Sequence, residues 1–236
     1  MKVKICGIRT REAAVNAAEA GADFLGFNFA PVSKRRVAPA VARTAIASCQ
    51  AVFGDTEMVG VFVNQPLDEV AQIASDLGLH YIQLSGDEDP AYCLEVVKRA
   101  ATPVIKAVRL GRPSEAAQIE VFGGVSDFLL ADTTAEGSYG GSGQPWRWRD
   151  AAELTSRFSV LLAGGLTAGN VAEAVDAARP WGVDVASGVE IDGMTNSEKV
   201  RVFIRRAKGT NDQDHDDNRR DNRWAPHRRG ADENYD

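Results

Sequence analysis

Histidine is scarce in this 236-residue sequence, and its scarcity narrows the chemistry that the chain can perform. Of the three histidines, His215 and His227 fall in an unusual C-terminal stretch, so only His80 remains for the body of the chain. The three cysteines are widely separated and form no C-x-x-C pair. A zinc centre, a Ser-His-Asp triad and a disulfide framework are therefore nearly excluded, and we expect reduced thiols and no bound metal.

Long apolar runs and clustered basic residues are also missing. The longest apolar runs, such as FLGFNFA and FLLA, fall far short of the ~20 residues that span a bilayer, and no charged-then-apolar leader precedes the first strand-like segment. The net charge is −6, and KRR at 34–36 is the only basic cluster in the body of the chain. We therefore expect a cytoplasmic protein that binds neither membrane nor nucleic acid.

The composition changes abruptly near residue 209. The segment 209–236 is dominated by Asp, Asn and Arg and has almost nothing to bury. Such a composition predicts a disordered polar and charged tail, although its mixed charges leave the recruitment of a partner open. Residues 1–208 are expected to form a single folded domain.

Within residues 1–208, short runs rich in β-branched or aromatic residues alternate with segments of helical periodicity, as at Val70, Ala74 and Leu77. The eight runs are KVKIC, DFLGFNF, MVGVFV, YIQLS, PVIKAV, DFLLAD, SVLLAG and VDVAS. They are apolar on both faces, as buried parallel strands are. Eight such units predict an α/β fold of the (β/α)8 TIM-barrel type, with a doubly wound open sheet as the alternative.

Glycine-rich segments follow the last three strand-like runs. They are GGSG at 140–143, AGGL at 163–166 and ASGVE at 186–190. In a barrel, the loops after the strands ring one mouth, and the loops after the seventh and eighth strands are the usual phosphate site. Any one cluster could be a simple turn, but three on successive loops predict a cradle of backbone N–H groups for a phosphate. The glycines that could supply these groups are Gly141, Gly143, Gly164, Gly165 and Gly188.

Cys6 ends the first strand-like run, two residues after Lys4, so the two side chains face the same way. A neighbouring ammonium is expected to lower the pKa of the thiol and so to enrich the thiolate. The position at the predicted mouth favours chemistry, whereas a lone cysteine is often only a small core residue. The residues alone leave both interpretations open.

Two further charged residues fall at predicted strand ends. Asp132 ends the run DFLLAD, where a carboxylate is hard to explain as core packing, and it could act as a proton donor or acceptor opposite Cys6. Capping of its own loop is the alternative. Arg35, or its neighbour Arg36, could bind a substrate carboxylate through two hydrogen bonds, although a solvated surface arginine fits equally well.

Together these segments resemble a known family. KICGI, GADFLGFNF, the S-x-R-x-V pattern at 33–37, GVFVN, DTTAEGSYGGSG, LLAGGLTAGNV and GVDVASGVE occur in the same order and at similar spacing as in phosphoribosylanthranilate isomerase, from about residue 2 to 206. The resemblance implies a (β/α)8 enzyme of tryptophan biosynthesis that works without a cofactor. The implied reaction is the Amadori rearrangement of N-(5-phosphoribosyl)anthranilate to 1-(2-carboxyphenylamino)-1-deoxyribulose 5-phosphate.

The same resemblance assigns roles to individual positions. It implies that Cys6 is the general base and Asp132 the general acid, and that Arg35 binds the anthranilate carboxylate. The remaining implied substrate contacts are Ser85, Ser142, Asp184 and Ser187, together with the loop glycines named above. Ser85 departs from the family pattern, since many members carry a histidine there.

Two alternatives remain on the sequence. One is another phosphosugar-binding barrel isomerase, such as the aminoaldose isomerase of the histidine pathway, but its first strand is expected to end in aspartate where this chain has Cys6. The other is a phosphate-binding relative without catalytic activity. The partner predicted here is the small phosphosugar substrate, and the chain is expected to be a monomer or a homodimer.

Overall fold

The computed structural model describes residues 1–109, 113–132 and 148–209, in which eight parallel strands form a closed barrel. The strands are β1 (Lys2–Cys6), β2 (Phe24–Asn28), β3 (Glu57–Phe62), β4 (Tyr81–Leu84), β5 (Val104–Arg109), β6 (Phe128–Asp132), β7 (Val160–Leu162) and β8 (Gly182–Val185). Strand β8 pairs with β1, with Lys4 opposite Asp184. This closure confirms the predicted (β/α)8 barrel and rules out the open sheet.

Helices connect the strands and cover the outside of the barrel. They are α1 (Arg11–Glu19), α2 (Pro39–Gln50), α3 (Leu67–Leu77), α4 (Pro90–Ala100), α5 (Pro113–Val125), α6 (Ala152–Thr155), α7 (Val171–Ala178) and α8 (Ser197–Lys208). Short 3-10 turns occupy Trp148–Ala151 and Ser187–Val189, and a small hairpin is formed by β9 (Glu190–Ile191) and β10 (Met194–Thr195). No helix in the described ranges is long and apolar enough to cross a bilayer. The predicted tail lies outside these ranges from residue 210 onward, so the domain boundary stays a prediction.

The barrel interior is closed at its N-terminal end by aromatic side chains. Phe128 stacks on Trp181 with ring centroids 4.4 Å apart, and Phe24 and Tyr81 meet edge to face at 5.7 Å. Phe24 also contacts Trp181, and Tyr81 contacts Phe128, so the four rings form a closed circuit. Because this end is filled with apolar groups, a polar ligand can enter the barrel only from the opposite end.

At this N-terminal end, an aspartate forms two hydrogen bonds with a residue of the neighbouring strand, and this arrangement occurs at two places on opposite sides of the barrel. The Asp23 carboxylate accepts the Val3 N–H at 2.9 Å, and the Asp23 N–H donates to the Val3 carbonyl. Asp127 and Val104 repeat both bonds between β6 and β5. Each aspartate stands directly before a phenylalanine that begins its strand, so the barrel base is held by carboxylates in equivalent positions.

Candidate active site

A cavity of about 670 Å³ opens at the C-terminal end of the barrel, as the predicted architecture requires. Most of the sequence-predicted site residues line it: Cys6, Arg35, Ser85, Asp132, Gly164, Gly165, Asp184 and Ser187. Gly188 follows Ser187 on the same loop, and its missing side chain lets that loop approach the Leu166 carbonyl closely. The predicted contacts Gly141, Ser142 and Gly143 lie outside the described residues.

Cys6 is packed between charged groups at the end of β1. The Lys4 ammonium is fully buried and donates to Asp184 Oδ1 at 2.7 Å. A Cβ on Gly26, in the neighbouring strand, would lie 2.9 Å from Cys6 Sγ and 3.0 Å from Lys4 Nζ. Glycine at that position therefore leaves the space in which the thiol and the ammonium meet.

The Lys4 ammonium lowers the pKa of Cys6 as expected, but the net shift in that pKa is upward, so the expected enrichment of the thiolate is wrong. Burial has the largest effect and raises the pKa of the thiol, because the charged thiolate loses its hydration. The Lys4 ammonium opposes this rise in pKa, whereas the Asp184 carboxylate adds to it. With the pKa of Cys6 above its ordinary value, the resting site contains the thiol rather than an enriched thiolate.

Lys4 itself stays charged in this environment. Burial lowers the pKa of its ammonium, but its ionisable neighbours, above all the Asp184 carboxylate, outweigh that effect, and the pKa lies above its ordinary value. Asp184, on β8, therefore serves as the counterion of the buried Lys4 ammonium. Asp184 also lines the cavity.

Asp132 is the last residue of β6 and lines the cavity. Its strand lies three positions from β1 around the barrel, so the carboxyl and the Cys6 thiol approach the cavity from different sides. In the register of β5 with β6, Arg109 lies opposite Asp132. This placement allows one group to give a proton to a bound molecule while the other removes a proton from it.

Arg35 is not a solvated surface arginine. Its side chain is 11% exposed and forms a bidentate ion pair with Glu190, with Nε–Oε1 at 2.6 Å and Nη2–Oε2 at 2.8 Å. Hydrogen bonding to Glu190 is the main reason that the pKa of Arg35 is raised. The loop after β2 therefore brings a fixed cation to the cavity, whereas neighbouring Arg36 is exposed and pairs through its backbone with Asn28.

Ser85 follows β4 and receives a hydrogen bond from a buried side chain. Gln83 Nε2 donates to Ser85 Oγ at 3.0 Å, and both residues line the cavity. Because the oxygen accepts this bond, its own hydrogen is available to a ligand. Ser85 thus keeps one hydrogen-bond donor at this position.

The loop after β4 is held by a buried ion pair that was not predicted from the sequence. Lys106 donates to Glu88 Oε2 at 2.8 Å and to the Gly86 carbonyl at 2.7 Å, and the two side chains are 2% and 3% exposed. Glu88 also accepts the N–H groups of Asn64 and Gly86. The signal was the lysine inside the apolar run PVIKAV, since a buried lysine needs a partner.

The loop after β7 presents backbone donors to the cavity. Gly164 and Gly165 have φ angles of 91° and 62°, a left-handed conformation that glycine adopts without strain. Within the described part of the chain, the N–H groups of these two residues make no hydrogen bond. They and Ser187 therefore offer donors at the predicted phosphate position.

Comparisons with known proteins agree on one family. The family model described as N-(5'-phosphoribosyl)anthranilate (PRA) isomerase matches residues 3–206. The N-(5'-phosphoribosyl)anthranilate isomerase of Roseiflexus sp. (strain RS-1) is 43% identical over 212 residues, which cover 88% of this chain and 98% of the relative.

Solved structures give the same result. The phosphoribosyl anthranilate isomerase of Thermotoga maritima is 34% identical, with a TM-score of 0.80 and coverage of 89% of this chain and 99% of that one. A structure of such an isomerase in complex with reduced 1-(o-carboxyphenylamino)-1-deoxyribulose 5-phosphate has a TM-score of 0.77, with the same identity and coverage.

Proposed function

The chain belongs to the N-(5'-phosphoribosyl)anthranilate isomerase family, and from this membership we infer that its cavity converts N-(5-phosphoribosyl)anthranilate into 1-(2-carboxyphenylamino)-1-deoxyribulose 5-phosphate. The protein is thus an isomerase of tryptophan biosynthesis. The observation that carries the residue assignments is that Cys6 and Asp132, each the last residue of its strand, line one cavity with the glycine loop after β7.

The substrate carries a negative group at each end, and the cavity offers a matching group for both. We assign the phosphate to the N–H groups of Gly164, Gly165 and Gly188 with Ser187, and the aromatic carboxylate to Arg35. A related isomerase was solved with the reduced product analogue, which supports a phosphosugar ligand of this class. Binding at both ends would hold the reacting carbons C1' and C2' near the two proposed catalytic groups.

Asp132 is the proposed general acid. Its carboxyl gives a proton to the ribose ring oxygen, the C1'–O bond breaks, and the lone pair of the amine nitrogen forms the C1'=N bond. The product of this step is a protonated Schiff base. Its positive charge acidifies the proton on C2', and the aromatic amine itself serves as the electron sink.

Cys6 is the proposed general base. The thiolate removes the C2' proton, the C1'=C2' bond forms, and the nitrogen becomes neutral in the enolamine. Tautomerisation then moves a proton from the C2' hydroxyl to C1' and leaves the ketone. Because burial raises the pKa of Cys6, the thiolate forms most readily once the cationic Schiff base lies beside it and adds to the effect of Lys4.

This mechanism needs only proton transfers between the protein and the substrate, and the absence of a cofactor and of a metal stays a prediction. The proposed contacts at Gly141, Ser142 and Gly143 also stay predictions, as does the oligomeric state. Asp184 acts on this mechanism through Lys4 and Cys6, and Ser85 could donate one hydrogen bond to the substrate.

The direct test uses freshly prepared N-(5-phosphoribosyl)anthranilate and follows the loss of its anthranilate fluorescence. The purified protein is expected to convert it, and Cys6→Ala is expected to fold normally without turnover. The matched control is Cys49→Ala, which alters a buried cysteine of α2 outside the cavity lining. No turnover by the wild-type protein would overturn the function, and full activity of Cys6→Ala would overturn the assignment of the base.

A further inference from the structure

Glu190 is a buried carboxylate at the mouth of the barrel to which the mechanism above gives no role. It begins the hairpin strand β9, and its side chain is 9% exposed. Both carboxylate oxygens are bonded to the Nε and Nη2 groups of Arg35, 155 positions earlier in the chain. A guanidinium has two edges that can each form a pair of parallel hydrogen bonds, and Glu190 occupies the edge that contains Nε.

The other edge of this guanidinium, formed by Nη1 and Nη2, remains available. Nη1 makes no hydrogen bond or ion pair with any of the described residues. Arg35 lines the cavity, whereas Glu190 does not. The protein therefore binds Arg35 from the side away from the cavity and leaves a second pair of donors for a ligand.

The aliphatic part of the Arg35 side chain, the arginine stem, is held in place as well as its guanidinium. A Cβ on Gly7, whose φ is 83°, would lie 2.5 Å from Arg35 Cδ, so the arginine stem lies directly over the loop that follows Cys6. At the start of this side chain, the Arg35 N–H donates to Ser33 Oγ at 3.1 Å. The packing of the stem against Gly7 and the ion pair with Glu190 thus limit the orientations that the guanidinium can adopt.

We propose that Glu190 is a positioning residue for substrate recognition: it fixes Arg35 through the Nε edge so that the Nη edge meets the carboxylate of the aromatic amine. The inference rests on the proposed function, because it takes that carboxylate as the ligand of Arg35. A flexible arginine loses rotamer freedom when it binds a ligand, and a guanidinium that is already ordered has less to lose. The contact between Arg35 and the substrate carboxylate persists through the reaction, so weakening this contact raises KM and leaves kcat unchanged.

The test compares Glu190→Gln with wild type on two substrates made from ribose 5-phosphate, its anthranilate adduct and its aniline adduct, which lacks the carboxylate. The expected result is a rise of about tenfold in KM for the anthranilate adduct, with kcat and both constants for the aniline adduct unchanged within about twofold. The matched control is Glu120→Gln, which breaks the exposed bidentate pair of Glu120 with Arg157 and is expected to change neither substrate's kinetics.

Two further variants separate positioning from folding. Glu190→Asp keeps the charge but shortens the side chain, and its KM for the anthranilate adduct is expected between those of wild type and Glu190→Gln. In an Arg35→Met background, Glu190→Gln is expected to add no further loss, because the residue acts only through Arg35.

The proposal is wrong if KM for the anthranilate adduct stays constant or falls in Glu190→Gln, since relief of charge repulsion would then outweigh positioning. It is also wrong if Glu190→Gln turns over both adducts more slowly and has a lower melting temperature, which would identify Glu190 as a structural residue. Failure of the proposed function has a different signature, namely that the wild-type protein converts neither adduct.

Discussion

Strand β6 (Phe128–Asp132) ends in one aspartate and is directly preceded by another, Asp127, and the two differ in what surrounds them. Asp127 stands at the base of the barrel, is exposed to solvent, and accepts the Val104 N–H. Asp132 stands at the mouth and lines the cavity. The same residue type, at two positions five apart in the chain, thus binds backbone at the base of the barrel and lines the cavity at its mouth.

The ion pairs of the two ends differ in the same way. At the base, Asp23 is shared by Lys2 and Lys208, whose side chains are 42% and 28% exposed. At the mouth, Lys106 and Glu88 are almost completely buried. Exposed pairs cost little to form and contribute little, whereas buried pairs require the loss of hydration and depend strongly on both partners. Charge at the base should therefore affect stability modestly, and charge at the mouth should affect activity or folding strongly.

Asp127 and Asp132 give the sharpest contrast between the two ends of the barrel. Asp132→Asn is expected to lower kcat by about 10² to 10⁴-fold, because the amide cannot donate the proton that opens the ribose ring. Asp127→Asn is expected to keep full activity and to lower the free energy of unfolding by about 1 kcal/mol. Turnover and urea denaturation of both variants measure this difference. Equal turnover by the two variants would show that the ends are not functionally distinct.

Removal of one partner from the buried pair is the second largest effect. Lys106→Met leaves Glu88 charged and buried, so the free energy of unfolding is expected to fall by about 3–5 kcal/mol and the melting temperature by roughly 10 °C. In the exposed pair of Lys98 with Glu95, Lys98→Met should cost less than about 0.5 kcal/mol. Thermal melts measure both losses. The double variant Lys106→Met with Glu88→Gln should recover part of the loss, and no recovery would mean that the lysine acts without its partner.

The pH profile tests the electrostatics around Cys6. The pKa of the thiol is raised by burial, so kcat/KM should increase as the pH rises toward that pKa and the thiolate forms. Lys4→Met should move this limb to higher pH because the opposing cation is lost. Asp184→Asn should move it to lower pH because its carboxylate raises the pKa of Cys6. A shift of this limb in the same direction in both variants would contradict this account.

Acid stability at the base should show the smallest effect. Burial raises the pKa of Asp23, but Lys208, the Val3 N–H and Lys2 outweigh it, and the pKa lies below its ordinary value. A carboxyl with a lowered folded-state pKa stabilises the protein above its unfolded pKa of about 3.9, and this contribution is lost as the pH falls through the folded pKa. Asp23→Asn should therefore be less stable than wild type by about 1 kcal/mol at pH 6, and this difference should be smaller at pH 2.5. Urea denaturation at both pH values measures the difference, and an equal gap at both would exclude the linkage.

Local sequence determined the fold and the positions of the proposed catalytic groups. The eight apolar runs predicted the eight strands, because parallel strands buried on both faces show continuous hydrophobicity. Cys6 and Asp132 were found because each breaks such a run at its C-terminal end, and strand ends in a closed barrel meet at one mouth. These features depend only on neighbours in the chain, so they can be predicted from the sequence alone.

The electrostatic environment was decided only by the tertiary structure. Arg35 and Glu190 are 155 positions apart, and Lys4 and Asp184 are 180 apart, so no local pattern pairs them. The sign of the pKa shift of Cys6 was wrong at the sequence level because Lys4 was visible beside it, whereas burial was not. Barrel closure brings β8 against β1 and removes water from these groups, and the loss of hydration then determines which neighbouring charge prevails.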